Sequence, residues 1–288
     1  MKAKMLTDSA CDIPMELQKK YGVDIMNFDM VIDGVSYTER VDFTFEEYYE
    51  KLKTCEGIPS TSHITSLRFM EQYLAYDEEG YTDIIYVSIN GAGSATKNAA
   101  IMGIEQFREE RPASRMRIHV VDSHTYSMVY GWYVCKGAEK LANGASAEAV
   151  VSYLNDVYSR VEILLSVYTL KFIKKSGRVS AAAAFAGELL GLRPVISMID
   201  DTTATVAKVR GDDAVAPALI KQAKQRMAEG SDYMVLGTAM ENMKLFAKMC
   251  KKEFGKAPVG IFHLGAAVAT NTGPHALAIH YFGEKRTR

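Results

Sequence analysis

Short apolar runs alternate along the chain with hydroxyl-rich loops and with stretches whose apolar positions recur at helical spacing. Residues 3–6 read as a strand, and Thr7-Asp8-Ser9-Ala10-Cys11-Asp12-Ile13-Pro14 follows as a polar loop. Pro14 suits the first turn of a helix running to about Tyr21. Residues 23–32 alternate into another strand, and Asp33-Gly34 is a hairpin turn into 35–41. Thr44 caps a helix over about 45–54, with Glu46 and Glu47 in its first turn. Ser60-Thr61-Ser62-His63-Ile64-Thr65 is another hydroxyl cluster, placed before a helix of about 66–78. Residues 117–121 form a strand, Asp122-Ser123-His124-Thr125 a fourth polar loop, and helices run to about 142 and over 147–160.

The most informative stretch is 84–102. Ile84 to Val87 is an uncharged run of strand formers, as in a strand buried on both faces. Ser88-Ile89-Asn90-Gly91-Ala92-Gly93 is a loop, and helix begins near Ser94 to Thr96. The free N–H groups of a first helical turn suit an anion, with the Ser94 and Thr96 hydroxyls as further donors. The plain alternative is that Ser94 is only an N-cap. The stretch lacks the third glycine of a dinucleotide fingerprint, is not a P-loop, and is not a nucleophile elbow, since Ala rather than Gly stands two residues after Ser94.

Four strand–loop–helix units predict a doubly wound, mostly parallel sheet over residues 1–160, whose ligands sit beyond the carboxyl ends of the strands. The pattern changes near 160. Strands are expected over 163–167, 193–199, 203–209, 233–237, 259–263 and 276–282, and helices over 181–191, 213–228 and 240–254. Asp200-Asp201 joins two of these strands as a hairpin, so residues 161–288 read as a second α/β domain with a partly antiparallel sheet. Asn271-Thr272-Gly273-Pro274-His275 reads as a turn.

Composition narrows the function classes. A net charge of −1 gives no electrostatic case for nucleic acid or for an anionic membrane, so membrane contact would be transient at most. Four scattered cysteines without C-x-x-C argue against a zinc site or a disulfide scaffold and fit a reducing compartment. The start has no apolar signal region, and no apolar stretch nears the ~20 residues of a spanning helix. A cytoplasmic location is the expectation.

With the loops laid out, the chain resembles the DegV family, bacterial fatty-acid-binding proteins that serve as the lipid-binding subunit of fatty acid kinase. Thr7 to Pro14 looks like the opening motif, and Ser60-Thr61-Ser62-His63 looks like Thr-Ser-Gln-Pro-Ser with His63 and Ile64 replacing Gln and Pro. Ser94-Ala95-Thr96-Lys97-Asn98 looks like Ser-Gly-Thr-Tyr-Gln, and Asp122-Ser123 with Ser127 and Gly131 fits the next motif. Leu170 to Ser180, Leu190 to Pro194 and Asn271-Thr272-Gly273-Pro274 fit three more, the last with Asn271 in place of His. The resemblance spans nearly the whole chain.

It implies two α/β domains with one fatty acid between them. The residues matching Thr61 and Ser94 and the N–H of Ala95 would hold the carboxylate, with Ser62, Thr96 and Asn271 as further ligand-binding positions. Residues 1–160 would carry the carboxylate-binding loops, and 161–288 would cover the acyl chain. Arg178 matches the arginine associated with the partner kinase, the other reading being a solvated charge. Asn271 cannot carry a proton as His can, but it can hydrogen-bond. Met26, Phe28 and Met30 share one face of a strand and suit either core or an acyl channel. Lys97 is unfavourable to the helix dipole; it could offset an anionic head group if its side chain turned inward, but exposure to solvent is the expectation.

The expected function is binding of a long-chain fatty acid and presentation of its carboxylate to a kinase for acyl-phosphate formation. No cofactor, no metal and no chemistry of its own are expected. The rivals are a serine hydrolase using Ser94 with His124 or His263, and a binder of a small phosphorylated metabolite.

Overall fold

The computed structural model describes residues 2–177, 191–199 and 201–286. Its contacts divide the chain into two units. One comprises Met1–Met30, Ser36–Asp42 and Thr61–Tyr158, the other Val31–Val35, Phe43–Ser60 and Ser159–Arg288. Two stretches of the N-terminal half thus belong with the C-terminal unit.

The N-terminal half runs β1 (Ala3–Asp8), α1 (Met15–Tyr21), β2 (Asp24–Met26), β3 (Asp29–Ile32), β4 (Val35–Thr38), α2 (Phe45–Thr54) and β5 (Ser60–Ser62). It continues with α3 (Ser66–Glu78), β6 (Asp83–Ser88), α4 (Thr96–Glu110), β7 (Arg117–Asp122), α5 (Met128–Ala142) and α6 (Ala147–Tyr158). β2, β1, β6 and β7 pair in that order, all parallel. β6 is buried at all six positions, as its uncharged centre predicts. Ile84 and Tyr86 pack with Phe69 and Tyr73 of α3 and Ala99, Ala100 and Phe107 of α4. Met5 and its β6 partner Ile85 face the other way, where Met5 touches the Gly137 position of α5.

The register sets Thr7 opposite Val87 and Val87 opposite Val121. The loops after β1, β6 and β7 therefore leave the sheet at one edge. Two expectations for this half need correction. Residues 23–32 are two strands rather than one, because the Phe28 N–H turns aside to the Ser9 hydroxyl at 2.9 Å and its carbonyl accepts from Glu39. The cluster at 60–65 is not a loop of the parallel sheet either: β5 pairs with β3, in a small sheet ordered β4-β3-β5.

The C-terminal half runs β8 (Val161–Val167), α7 (Lys171–Ser176), β9 (Leu192–Ile199), β10 (Thr202–Arg210), α8 (Val215–Arg226) and β11 (Tyr233–Gly237). It ends with α9 (Met240–Phe254), β12 (Gly260–His263), α10 (Ala266–Thr272) and β13 (Ala276–Phe282). Its sheet is ordered β10-β9-β8-β13-β11-β12, with β11 and β12 parallel and the other pairs antiparallel. Leu219, Ile220 and Ala223 of α8 and Met243, Phe246 and Cys250 of α9 pack with Val235, Leu277 and Ile279 of the sheet. α2 belongs here because the Tyr48 hydroxyl bonds Thr270 and the Tyr49 hydroxyl donates to the Leu264 carbonyl. The helix expected over 181–191 lies outside the described residues, apart from Gly191. The turn expected at 271–275 is corrected: Asn271 and Thr272 close α10.

Candidate functional site: the loop before α4

The loop from β6 into α4 is held almost wholly by its own polar groups and those of the loop after β7. The Asn90 amide donates to the Tyr126 hydroxyl at 3.0 Å, and its side-chain oxygen accepts the Ala92 N–H at 2.9 Å. The Gly93 N–H returns to the Asn90 carbonyl at 3.1 Å. Asp122, at the end of β7, accepts the Gly91 N–H at 3.1 Å and the His124 N–H at 2.9 Å. Lys97 Nζ lies 3.1 Å from the second Asp122 oxygen. The glycines are there for close approach. A Cβ on Gly91 would stand 2.5 Å from Asp122 Oδ2 and 2.8 Å from Lys97 Cδ, and one on Gly93 would strike the Tyr126 hydroxyl.

Ser94 and Thr96 meet as expected from sequence, but Ser94 is not the cap: Ala95 occupies that position and offers no side-chain bond. The Ser94 and Thr96 hydroxyls lie 2.8 Å apart, and the Thr96 N–H points at Ser94 Oγ from 3.3 Å. When Thr96 donates both bonds, the Ser94 hydroxyl hydrogen is left for an outside acceptor. Thr96 is buried, Ser94 half-buried and Ala95 exposed. Among the described residues the Ala95 N–H has no acceptor. A hydroxyl and an N–H thus stand side by side at the positive end of a fifteen-residue helix, which suits one carboxylate.

Beneath this edge lies a fully buried carboxylate. Asp8 accepts from the Tyr130 hydroxyl at 2.6 Å, the Tyr86 hydroxyl at 3.0 Å and the Ile89 N–H at 2.9 Å. Desolvation outweighs these bonds and pushes Asp8 up to about 6. Burial also pushes the Tyr86 and Tyr130 phenols well above their ordinary range. Ser9 donates to Glu39 at 2.5 Å, so the first loop's hydroxyl is already engaged.

The other expected residues are placed as follows. Thr61 and Ser62 stand on β5, half-buried and exposed, and among the described residues neither hydroxyl bonds the 94–96 loop. Asn271 belongs to the other unit, with its amide donating to the Ala267 carbonyl at 2.9 Å. Arg178 lies outside the described residues. Met26 packs into the core with Leu6 and Phe69, and Phe28 and Met30 are buried. The expectation of a solvated Lys97 is corrected by its ion pair. Asp122, Asn90 and Tyr126 escaped the sequence reading as working residues. The sequence marked Asp122 only as part of a polar loop and Asn90 only as a loop residue, and the glycine pair signalled that something approaches closely.

Among the described residues, no group of three or more His, Cys, Asp or Glu side chains could hold a metal ion, and no helix is long and apolar enough to cross a membrane.

A parallel sheet with a donor-bearing loop at its carboxyl edge, followed by a mixed sheet, defines a two-unit α/β protein. The family model described as "Uncharacterised protein, DegV family" matches residues 2–284, and the chain belongs to that family. A DegV domain-containing protein of Clostridium perfringens is 28% identical over 287 residues, covering 99% of this chain and 100% of the relative. A DegV family protein from Thermus thermophilus, whose structure is described as showing fatty acid binding, is 26% identical with a TM-score of 0.85, covering 99% of this chain and 100% of the other. A DegV lipid binding protein from Thermotoga maritima is 25% identical with a TM-score of 0.84, each chain covered completely.

Proposed function

We propose that this protein binds a long-chain fatty acid, with its carboxylate at the Ser94 hydroxyl and the Ala95 N–H. Thr61, Ser62 and Asn271 complete the ligand-binding set, with Thr96 serving it by turning the Ser94 hydroxyl outward; residues 1–160 carry the head-group loops, and residues 161–288 cover the acyl chain. The observation that carries the reading is the Ala95 N–H, without an acceptor among the described residues, beside a Ser94 hydroxyl whose hydrogen is left over when Thr96 donates, at the start of α4. Relatives described as fatty-acid-binding and lipid-binding support the choice of ligand. The test is titration with palmitate and, separately, with glucose 6-phosphate. Saturable uptake of palmitate alone supports the reading, and uptake of the sugar phosphate alone replaces it with the phosphorylated-metabolite reading.

The bound carboxylate is then presented to a separate kinase in the cytoplasm, with Arg178 at the partner contact. The kinase transfers the terminal phosphoryl group of ATP to a carboxylate oxygen and releases ADP. On this reading the chain contributes position and the kinase the chemistry, and the Ser94 hydroxyl, paired with Thr96, serves as a donor rather than a nucleophile. A fluorophosphonate probe should therefore leave Ser94 unlabelled. Acyl hydroxamate should form with hydroxylamine only when kinase, ATP and this protein are all present.

A further inference from the structure

Lys97 reaches back over the loop it follows. Its Cδ passes so close to Gly91 that a Cβ there would come within 2.8 Å, and its Nζ ends 3.1 Å from Asp122 Oδ2. The Asp122 side chain is only 9% exposed, and its other oxygen holds the N–H groups of Gly91 and His124. The carboxylate is therefore fixed against the loop that leads to Ser94. A fixed anion there has a consequence for any ligand that brings a second negative charge to the start of α4. The backbone donors orient Asp122 but do not cancel its charge. The His124 ring, with Nδ1 at 3.9 Å, does so only when protonated. The Lys97 ammonium, 3.1 Å from the second oxygen, is the cation set against it.

We infer that Lys97, by neutralising Asp122, is a positioning residue that selects for an anionic head group at Ser94 and Ala95. The inference rests on the fatty-acid reading of that loop. Without Lys97, the Asp122 charge opposes the incoming carboxylate through a partly desolvated loop, where charges are screened far less than in water. A neutral ligand of the same length feels no such opposition. The selectivity is therefore electrostatic, and it separates from any role of Lys97 in holding the loop's shape.

The test compares palmitate with 1-hexadecanol at one fixed pH in the parent and each variant. Lys97→Gln is expected to weaken palmitate about tenfold while leaving hexadecanol within about twofold. Lys97→Arg should retain palmitate binding. The double variant Lys97→Gln, Asp122→Asn should recover palmitate affinity to within about threefold of the parent, because the opposing charge is gone. Equal losses for both ligands, or a double variant no better than Lys97→Gln, would overturn the inference in favour of a purely structural lysine. Unchanged palmitate binding in Lys97→Gln would overturn it as well. A parent protein that takes up no palmitate defeats the fatty-acid reading itself, and this inference falls with it. A parent that binds normally beside an unaffected Lys97→Gln variant defeats the inference alone.

Discussion

The Tyr130 hydroxyl donates to Asp8 across 2.6 Å, and both residues are completely shielded from water. This bond ties α5 to the end of β1, directly under the edge where the polar loops emerge. Removing the carboxylate strands the Tyr130 and Tyr86 hydroxyls and the Ile89 N–H in the interior. Asp8→Ala is expected to cost about 3 kcal/mol in unfolding free energy, measured by urea denaturation.

Asp8 also sets a pH dependence. Its folded value near 6 lies above the ordinary 3.8, so the native state holds a proton that the unfolded chain releases between those values. Its contribution is fully present below about pH 4 and is lost as pH rises through about 6, by up to about 3 kcal/mol. Asp8→Asn should remove this slope. The check is hydrogen exchange in β1 and β6 across that pH range.

His280 works with the opposite sign in the other unit. It is completely buried in β13, with Nδ1 3.1 Å from the Glu162 carbonyl, and burial lowers it to about 4. Its contribution is present above about 6.5 and is lost as pH falls through about 4, again by up to about 3 kcal/mol. Acidification from neutral pH should lower the protection factors in β8 and β13 while those in β1 and β6 rise. His280→Gln should abolish the loss in β8 and β13.

The glycine approach to Asp122 gives a prediction about binding more than stability. Gly91→Ala pushes its new methyl into Asp122 Oδ2 and the Lys97 stem, both side chains that can shift. The expected cost is about 1 kcal/mol in stability, while palmitate affinity falls about tenfold as the loop loses its clamp. Thermal unfolding and ligand titration on the same sample separate the two.

Much of the fold was legible because its elements are locally consistent. Thr44 and Glu47 form a capping box at the start of α2, and the apolar spacing of α9 buries Met243, Phe246, Ala247 and Cys250 on one face. α10 was not legible. It opens at Gly265 without a side-chain cap, and its last residues, Thr270, Asn271 and Thr272, are turn formers by type. Here each side chain bonds the carbonyl four residues back, at 2.8, 2.9 and 3.2 Å, an alternative that sequence does not announce. The same kind of bond engages one of the two Asn271 amide hydrogens, which a reading by motif could not foresee. The loop before α4 was legible as strand, glycines and helix start. Its clamp was not, because Asp122 lies 25 residues from Lys97 and meets it only through the pairing of β6 with β7.

The most direct test of the central claim is mass spectrometry of an organic extract from the purified protein, beside its native mass. Close to one long-chain fatty acid per chain is expected, lost from a Ser94→Ala variant that still folds. Protein that emerges empty, and takes up neither palmitate nor oleate when offered, would contradict it.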